Sequence, residues 1–104
     1  MRTHSFQTRT FLLGTSAADN WALLAAADRK DWWAHLVDYP SAHVILQDCL
    51  PPSNEELAFA RALILEQTKK APSSAGLVYA QVCNVKRGAV PGQVIIKKEK
   101  EKYF

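Results

Sequence analysis

Two histidines and a tryptophan in the middle of the chain are the side chains best suited to contact a ligand. His35 and His43 stand in two short apolar stretches separated by Pro40, and Trp33 precedes His35 by two residues. If the stretches pair as antiparallel strands, the histidines lie opposite each other, and Trp33 shares the face of His35. Such a group can stack on a nucleobase or donate hydrogen bonds to phosphate. The alternative is that both histidines are structural and bond the backbone or Asp38.

Basic residues towards the C-terminus form a second candidate set. Lys86 and Arg87 directly precede Gly88 and the Pro91-Gly92 turn. We therefore predict a basic loop over residues 86–92. A glycine-bearing loop of this kind suits phosphate binding, because its backbone N–H groups remain accessible. A solvated turn without a ligand would have the same pattern.

Charge is distributed unevenly along the chain. Residues 1–68 carry five Lys or Arg and eight Asp or Glu, whereas residues 69–104 carry eight and two, a net charge of +6. This segregation favours a polyanionic partner more than the total net charge of +3 does. Lys97 and Lys98 extend the basic stretch, although their alternation with glutamates is also typical of a solvated tail.

Catalytic and metal-binding patterns are missing from the sequence. Ser41 lies two residues before His43, but there is no G-x-S-x-G elbow, P-loop, GxGxxG or HExxH sequence. Cys49 and Cys83 lack CxxC spacing and other nearby metal ligands, so we interpret both as free thiols in a reducing cytosol. We therefore expect no enzyme activity, no metal and no cofactor.

The first half of the chain predicts a strand, a helix and two further strands. We expect a strand over residues 5–13 and a helix over 17–28 that begins with a capping box of Ser16 and Asp19. The cations at 29–30 suit the negative C-terminal end of that helix. The two central strands follow, over residues 31–37 and 42–47. Adjacent Trp32 and Trp33 point to opposite faces there, so one should be less buried than the other.

The second half predicts a helix followed by two strands. Ser53 and Glu56 form an S-x-x-E capping box for a helix that runs to about residue 70, with Lys69 and Lys70 at its C-terminal end. Further strands are expected over residues 77–83 and 93–97, and a frayed or edge segment over 97–102.

The order β-α-β-β-α-β-β predicts an α+β fold, with an antiparallel or mixed β-sheet that carries two helices. The 104 residues suit a single domain, with a core of about 6–97 and a basic C-terminal segment at 97–104. No apolar run approaches the length of a membrane span, and residues 1–5 do not lead into a signal peptide. We therefore expect a cytoplasmic protein that does not contact a membrane.

The order of these residues resembles the NFACT-R domain, the RNA-binding module of ribosome-associated quality-control factors, also known as DUF814. The first part of that pattern matches Gly14, Asn20, Asp31, Trp33, His35, Pro40, His43 and Val44. The later part matches Tyr79, Val85, Lys86, Arg87, Gly88, Pro91, Gly92 and Val94. Ser41-Ala42 and Trp21 depart from it, since the family often has Gly-Ser before the second histidine and an acidic residue after the asparagine.

The resemblance implies a stand-alone, non-catalytic domain that binds tRNA or rRNA in translation, in contact with the large ribosomal subunit. Lys86 and Arg87, with Lys97 and Lys98, would then bind backbone phosphates. Trp33, His35 and His43 would shape the contact surface, and Asn20 would mark a contact at a helix start. If the histidines touch phosphate, affinity should rise as the pH falls through about 6.5.

Two other functions are compatible with the same residues. The basic strip can dock a ribosomal or acidic protein partner instead of RNA. A small hydrolase or nuclease that uses His35 and His43 is the third hypothesis, and it predicts an activity that His35→Ala abolishes without unfolding the chain.

Overall fold

A computed structural model describes residues 1–68 and 70–104 of the chain. The elements of the described part are β1 Arg2–Phe6, β2 Arg9–Leu13, α1 Ala17–Ala26, β3 Trp32–Leu36, β4 Val44–Leu46, α2 Asn54–Gln67, β5 Leu77–Gln81, β6 Val85–Arg87, β7 Val94–Ile96 and β8 Lys100–Lys102. A single 3-10 turn, Val82–Asn84, joins β5 to β6. Within this part of the chain, neither helix has the length and apolar character that crossing a bilayer requires.

Six strands form one sheet in the order β1-β2-β4-β3-β5-β8, and β6 pairs with β7 in a separate hairpin. Neighbouring strands run antiparallel throughout. The predicted α+β class, with two helices on a largely antiparallel sheet, is therefore confirmed. Ordered strands also begin before residue 6 and continue past residue 97.

The two faces of the sheet are both covered. Helix α2 packs on one face in an apolar cluster that includes Trp32, whereas α1 and Val85 of the β6–β7 hairpin pack on the other face in a cluster that includes Trp33. As a result, Trp32 is 7% exposed and Trp33 is 1% exposed. The two tryptophans do point to opposite faces, but the expected difference in burial between them is small.

The single strand expected over residues 5–13 is a hairpin. β1 and β2 pair from Arg2 opposite Leu13 to Phe6 opposite Arg9, which leaves Gln7 and Thr8 as the turn. Gln7 has a φ of 55°, and two-residue hairpin turns favour positive φ because it matches the twist of the strands. The turn has no Gly, Asn or Asp, so the sequence lacks the usual turn signal.

Helix α1 starts where predicted and ends earlier. The Ser16 hydroxyl accepts a hydrogen bond from the Asp19 N–H at 3.1 Å. The Asp19 carboxylate accepts from the N–H and hydroxyl of Thr15 instead of from the N–H of Ser16, so the expected reciprocal box is displaced by one residue. The helix ends at Ala26 with no basic residue in its last turn. The prediction that residues 29–30 stabilise its C-terminal end is therefore wrong.

Helix α2 has the capping box that the sequence predicts. The Ser53 hydroxyl accepts from the Glu56 N–H at 3.1 Å, and the Glu56 carboxylate accepts from the Ser53 N–H at 2.9 Å. The helix ends at Gln67, so Lys70 lies beyond it. Lys69, the other cation expected there, lies outside the described residues.

A buried arginine ties the start of α2 to the sheet. Arg9 of β2 is 5% exposed, and its Nε donates to the Glu56 carboxylate at 2.8 Å. Its remaining N–H groups donate to the carbonyl oxygens of Gln47, Asp48 and Leu50. Burial opposes ionisation of Glu56, but hydrogen bonds from Ser53 and Arg9 outweigh it and lower the pKa of this carboxyl group.

The predicted basic loop is partly a strand. Lys86 and Arg87 lie in β6, and the turn of the hairpin covers only residues 88–93. The final segment is an edge strand, since β8 pairs with β5 at the border of the sheet. Cys49 and Cys83 are exposed free thiols, which agrees with their interpretation as unbridged cysteines.

Candidate functional site

The β3–β4 hairpin brings the two histidines together. Its register places Ala34 opposite Val44, and continuing that register by one residue places His35 opposite His43. The centres of the two imidazole rings are 4.9 Å apart, and the rings are almost perpendicular. The predicted juxtaposition of the histidines across the two strands is therefore confirmed.

Trp33 contacts both histidine rings. Its ring is stacked on His35 at 5.8 Å between centres, and its indole N–H donates to Nδ1 of His43 at 3.2 Å. Trp33 is almost fully buried, so its ring supports the histidines and is not accessible for stacking on a ligand. Because Nδ1 of His43 accepts a hydrogen bond, a neutral His43 carries its proton on Nε2.

A chain of hydrogen bonds fixes His43 to the start of α1. The Gly14 N–H donates to the carbonyl oxygen of His43 at 2.9 Å, and the His43 N–H donates to Oδ1 of Asn20 at 3.2 Å. A Cβ atom at Gly14 would lie 1.9 Å from that same Oδ1. A side chain at position 14 would therefore displace the Asn20 amide from the His43 N–H.

A cavity of about 420 Å³ opens above this network. The start of α1 forms one wall, and His35 and His43 form another. Ser41, Thr68 and the Pro91-Gly92 turn complete the lining. None of the described lining residues is an aspartate, glutamate, lysine or arginine, so the polar side chains of this lining are hydroxyl, amide and imidazole groups.

Burial keeps the two histidines neutral. Desolvation, and then the proximity of His35, lowers the pKa of His43 to about 3. Desolvation also lowers the pKa of His35, and a hydrogen bond with the Leu36 backbone opposes that shift only in part. The histidine charge expected to appear near pH 6.5 is therefore disfavoured in the folded chain.

The basic residues lie on the hairpin that also contributes to the cavity wall. Lys86 and Arg87 are exposed on β6. The guanidinium of Arg87 lies 5.6 Å from the centre of the Trp21 ring, and the indole N–H of Trp21 donates to the carbonyl oxygen of Gln93 at 2.9 Å. Trp21 thus docks the hairpin on α1, and Arg87 has a structural contact in addition to its charge.

Lys97 and Lys98 follow directly after β7 and are both exposed. The Lys97 N–H donates to the carbonyl oxygen of Asn84 at 2.8 Å, which places Lys97 beside the start of β6. Lys98 has a φ of 53° and lies in the short connection to β8. The structure therefore gathers all four predicted basic residues around one hairpin.

Several lining residues were not predicted from the sequence. Thr68 follows α2, and Ser41 follows the Pro40 turn; both residues line the cavity, and both hydroxyl oxygens accept from backbone N–H groups. Gly92 approaches α1 closely, since a Cβ atom there would lie 3.1 Å from that of Ala17. These residues meet only through the tertiary fold, although the Pro91-Gly92 turn was a visible signal. No group of three or more potential metal ligands occurs among the described residues.

The fold is similar to that of a known solved structure. No protein-family model matches the chain, and no curated protein matches its sequence. The structure is similar to the C-terminal part of the fibronectin/fibrinogen-binding protein of Streptococcus suis, with a TM-score of 0.78 and 23% sequence identity over 91% of this chain. This chain spans 40% of that neighbour's chain. The likeness establishes a shared α+β fold, and the NFACT-R resemblance remains a prediction from sequence.

Proposed function

We propose that the chain is a non-catalytic RNA-binding domain whose contact surface is the β6–β7 hairpin. The observation that carries the proposal is the gathering of Lys86, Arg87, Lys97 and Lys98, all exposed, around this hairpin. Clustered exposed cations attract phosphates and contribute most of the affinity for nucleic acid. Here the same hairpin also contributes a wall of the polar cavity.

The likeness to the NFACT-R pattern supports a choice among RNA ligands. It favours tRNA or rRNA, with the large ribosomal subunit as a partner and translation or ribosome-associated quality control as the cytoplasmic context. The histidines serve binding in this proposal, since Nδ1 of His43 is occupied by Trp33 and no acidic residue is among the described lining residues. A hydrolase that used His35 would lose its activity in His35→Ala.

The proposal predicts that Lys86→Glu/Arg87→Glu weakens binding to tRNA by tenfold or more, about the effect of removing two phosphate contacts. Fluorescence anisotropy with labelled tRNA measures the change. The matched control is Arg29→Glu/Lys30→Glu, which reverses the charge of an exposed Arg-Lys pair outside the hairpin. Because Arg87 contacts Trp21, thermal unfolding of both variants must show an intact fold.

Two results would contradict the assignment of this surface to RNA. The first is unchanged affinity in the folded hairpin variant. The second is an equal loss of affinity in the control, because that would reflect net charge instead of a defined surface.

A protein-interaction module is the second candidate function. Ile95 and Val90 are exposed apolar residues on the β6–β7 hairpin, and Ile95 lies opposite Lys86. A patch that combines apolar and basic side chains suits an acidic protein partner. The neighbour from Streptococcus suis is named for binding fibronectin and fibrinogen, which also favours a protein partner. Capture of a ribosomal protein that persists after RNase treatment and is lost in Ile95→Asp would support it.

A further inference from the structure

We propose that the cavity between the start of α1 and the two histidines binds a single phosphate group through uncharged N–H donors. The inference deepens the proposed RNA-binding function, on which the choice of RNA as a phosphate source rests. The donors are the Nε2–H of His43, the side-chain amide of Asn20 and the first backbone N–H groups of α1.

His43 directs one hydrogen-bond donor into the cavity. Its side chain is 2% exposed, yet it is part of the cavity lining. The bond from Trp33 occupies Nδ1, so the proton resides on Nε2. No described residue accepts a hydrogen bond from Nε2, and no side-chain polar atom of the described residues is both fully buried and unpaired. Nε2 therefore has access to the cavity.

Asn20 directs a second donor group to the same place. It is 7% exposed and lines the cavity. The His43 N–H needs an acceptor, which fixes Oδ1 towards the backbone at 3.2 Å and leaves the NH₂ group without a described acceptor. Two buried side chains thus present donors only, and a ligand that complements them must supply acceptors.

The start of α1 adds backbone donors and a favourable dipole. The Asp19 N–H is bound by Ser16, and the Asn20 N–H is bound by the Ser16 carbonyl. The N–H groups of Ala17 and Ala18 have no described acceptor, and Ala17 lines the cavity. Helix N-termini of this kind favour anions. The Asp19 carboxylate at this end is bound by Thr15 and by the amino group of Met1 at 2.7 Å.

A phosphate group fits these donors better than a carboxylate does. The donors approach from a helix start, an amide and an imidazole, which are different elements of the fold. Phosphate offers several strong acceptor oxygens arranged in three dimensions, whereas a carboxylate offers two in one plane. The cavity of about 420 Å³ leaves room for the rest of a nucleotide or another phosphorylated molecule.

The first test is an NMR titration of the full chain with inorganic phosphate at constant ionic strength. The expected result is a saturable shift of the Ala17 and Ala18 amide signals and of the His43 ring signals. Asn20→Asp should weaken this binding by about tenfold or more, because it replaces the amide group that donates to the phosphate with a carboxylate. The substitution keeps an oxygen that accepts from the His43 N–H. Asn54→Asp is the control, because it makes the same change at the start of α2.

A second variant removes a backbone donor without changing any charge. Ala17→Pro deletes the first N–H group of α1 at a position where proline is tolerated, and the extended backbone of Ser16, at φ −158° and ψ 168°, suits a residue before proline. Phosphate binding should weaken severalfold. The inference would be overturned if phosphate did not change the NMR signals of the cavity residues in the wild type. It would also be overturned if Asn20→Asp and Ala17→Pro both bound phosphate as tightly as the wild type does.

A comparison of RNA oligonucleotides with and without a 5′-phosphate identifies the source of the phosphate. If either oligonucleotide changes the NMR signals of the cavity residues, the phosphate comes from RNA. If only inorganic phosphate changes them, the ligand is a small phosphorylated molecule. The outcomes separate this inference from the proposed function. RNA binding through Lys86 with no cavity shift overturns the inference alone, whereas a cavity shift with no RNA binding supports it and overturns the RNA function.

Discussion

His43 has a structural contact on one side of its ring and a proposed ligand contact on the other. From sequence, the two histidines were either ligand contacts or structural residues. In the structure Nδ1 accepts from buried Trp33, and in the proposed phosphate site the Nε2 of the same ring is the donor to the ligand. The stacking of Trp33 on His35 extends this support to the second histidine. A ring fixed on one side is well suited to hold a donor in place on the other.

The burial of His43 predicts that stability declines in mild acid. Its pKa is about 3 in the folded state and about 6.5 in the unfolded chain. The unfolded state therefore binds more protons below pH 6.5, and the contribution of His43 is complete above that pH and lost as the pH falls towards 3. The slope attributable to this one group is at most about 1.4 kcal/mol per pH unit.

The measurement is denaturant unfolding at several pH values between 6.5 and 5. In this range the carboxyl groups contribute least to the pH dependence of the free energy of unfolding. His43→Asn should flatten the decline, because its Oδ1 can still accept from Trp33 but does not titrate. His4→Asn removes a histidine from β1, outside the site, and should retain the slope. Equal slopes for His43→Asn and the wild type would show that His43 protonation is not coupled to unfolding.

At the scale of elements, Arg9 connects three parts of the chain that are distant in sequence. It joins β2, the segment after β4 and the capping box of α2. Arg9→Gln should lower the free energy of unfolding by roughly 3 kcal/mol, because it leaves the partly buried Glu56 carboxylate without its charge partner. Denaturant unfolding measures this loss. Arg2→Gln on the exposed edge of β1 is the control, and a similar small effect of both changes would argue against the importance of the buried pair.

Local signals predicted the starts of elements better than their ends. Ser53 with Glu56 marks the start of α2, because a side chain there satisfies a backbone N–H that has no helical partner. The end of α1 and the Gln7 turn carry no such signal, and tertiary packing decides both. Lys86 and Arg87 belong to a strand because Val94 and Ile95 pair with them. That pairing depends on residues beyond the turn, and composition at positions 86–88 does not predict it.

At the scale of the whole molecule, the uneven charge of the sequence places four exposed basic residues on and directly after the β6–β7 hairpin. If the four exposed basic residues around β6–β7 each contact one phosphate of single-stranded RNA, the logarithm of the binding constant should fall against the logarithm of salt concentration with a slope of about −3. Lys86→Glu/Arg87→Glu should reduce the magnitude of that slope by about half. A slope near zero for the wild type would contradict electrostatic capture.

The candidate site was predictable to the extent that it depends on one hairpin. The pairing of His35 with His43 follows from two strands and a turn, and the NFACT-R likeness singles out Gly14 and Asn20. The sequence does not predict that Thr68 and Gly92 complete the cavity, because these residues come from segments far apart in the chain. It also does not predict that burial removes the histidine charge, since that burial depends on how distant segments of the chain pack around the β3–β4 hairpin.

The two border strands of the sheet have a consequence for self-association. A free strand edge can recruit the edge of another molecule, and lysines on such an edge hinder this pairing. The border strand β8 has the sequence Lys100-Glu101-Lys102, and the opposite border strand β1 begins at Arg2. We expect these charges to hinder the pairing of separate copies into a continuous sheet.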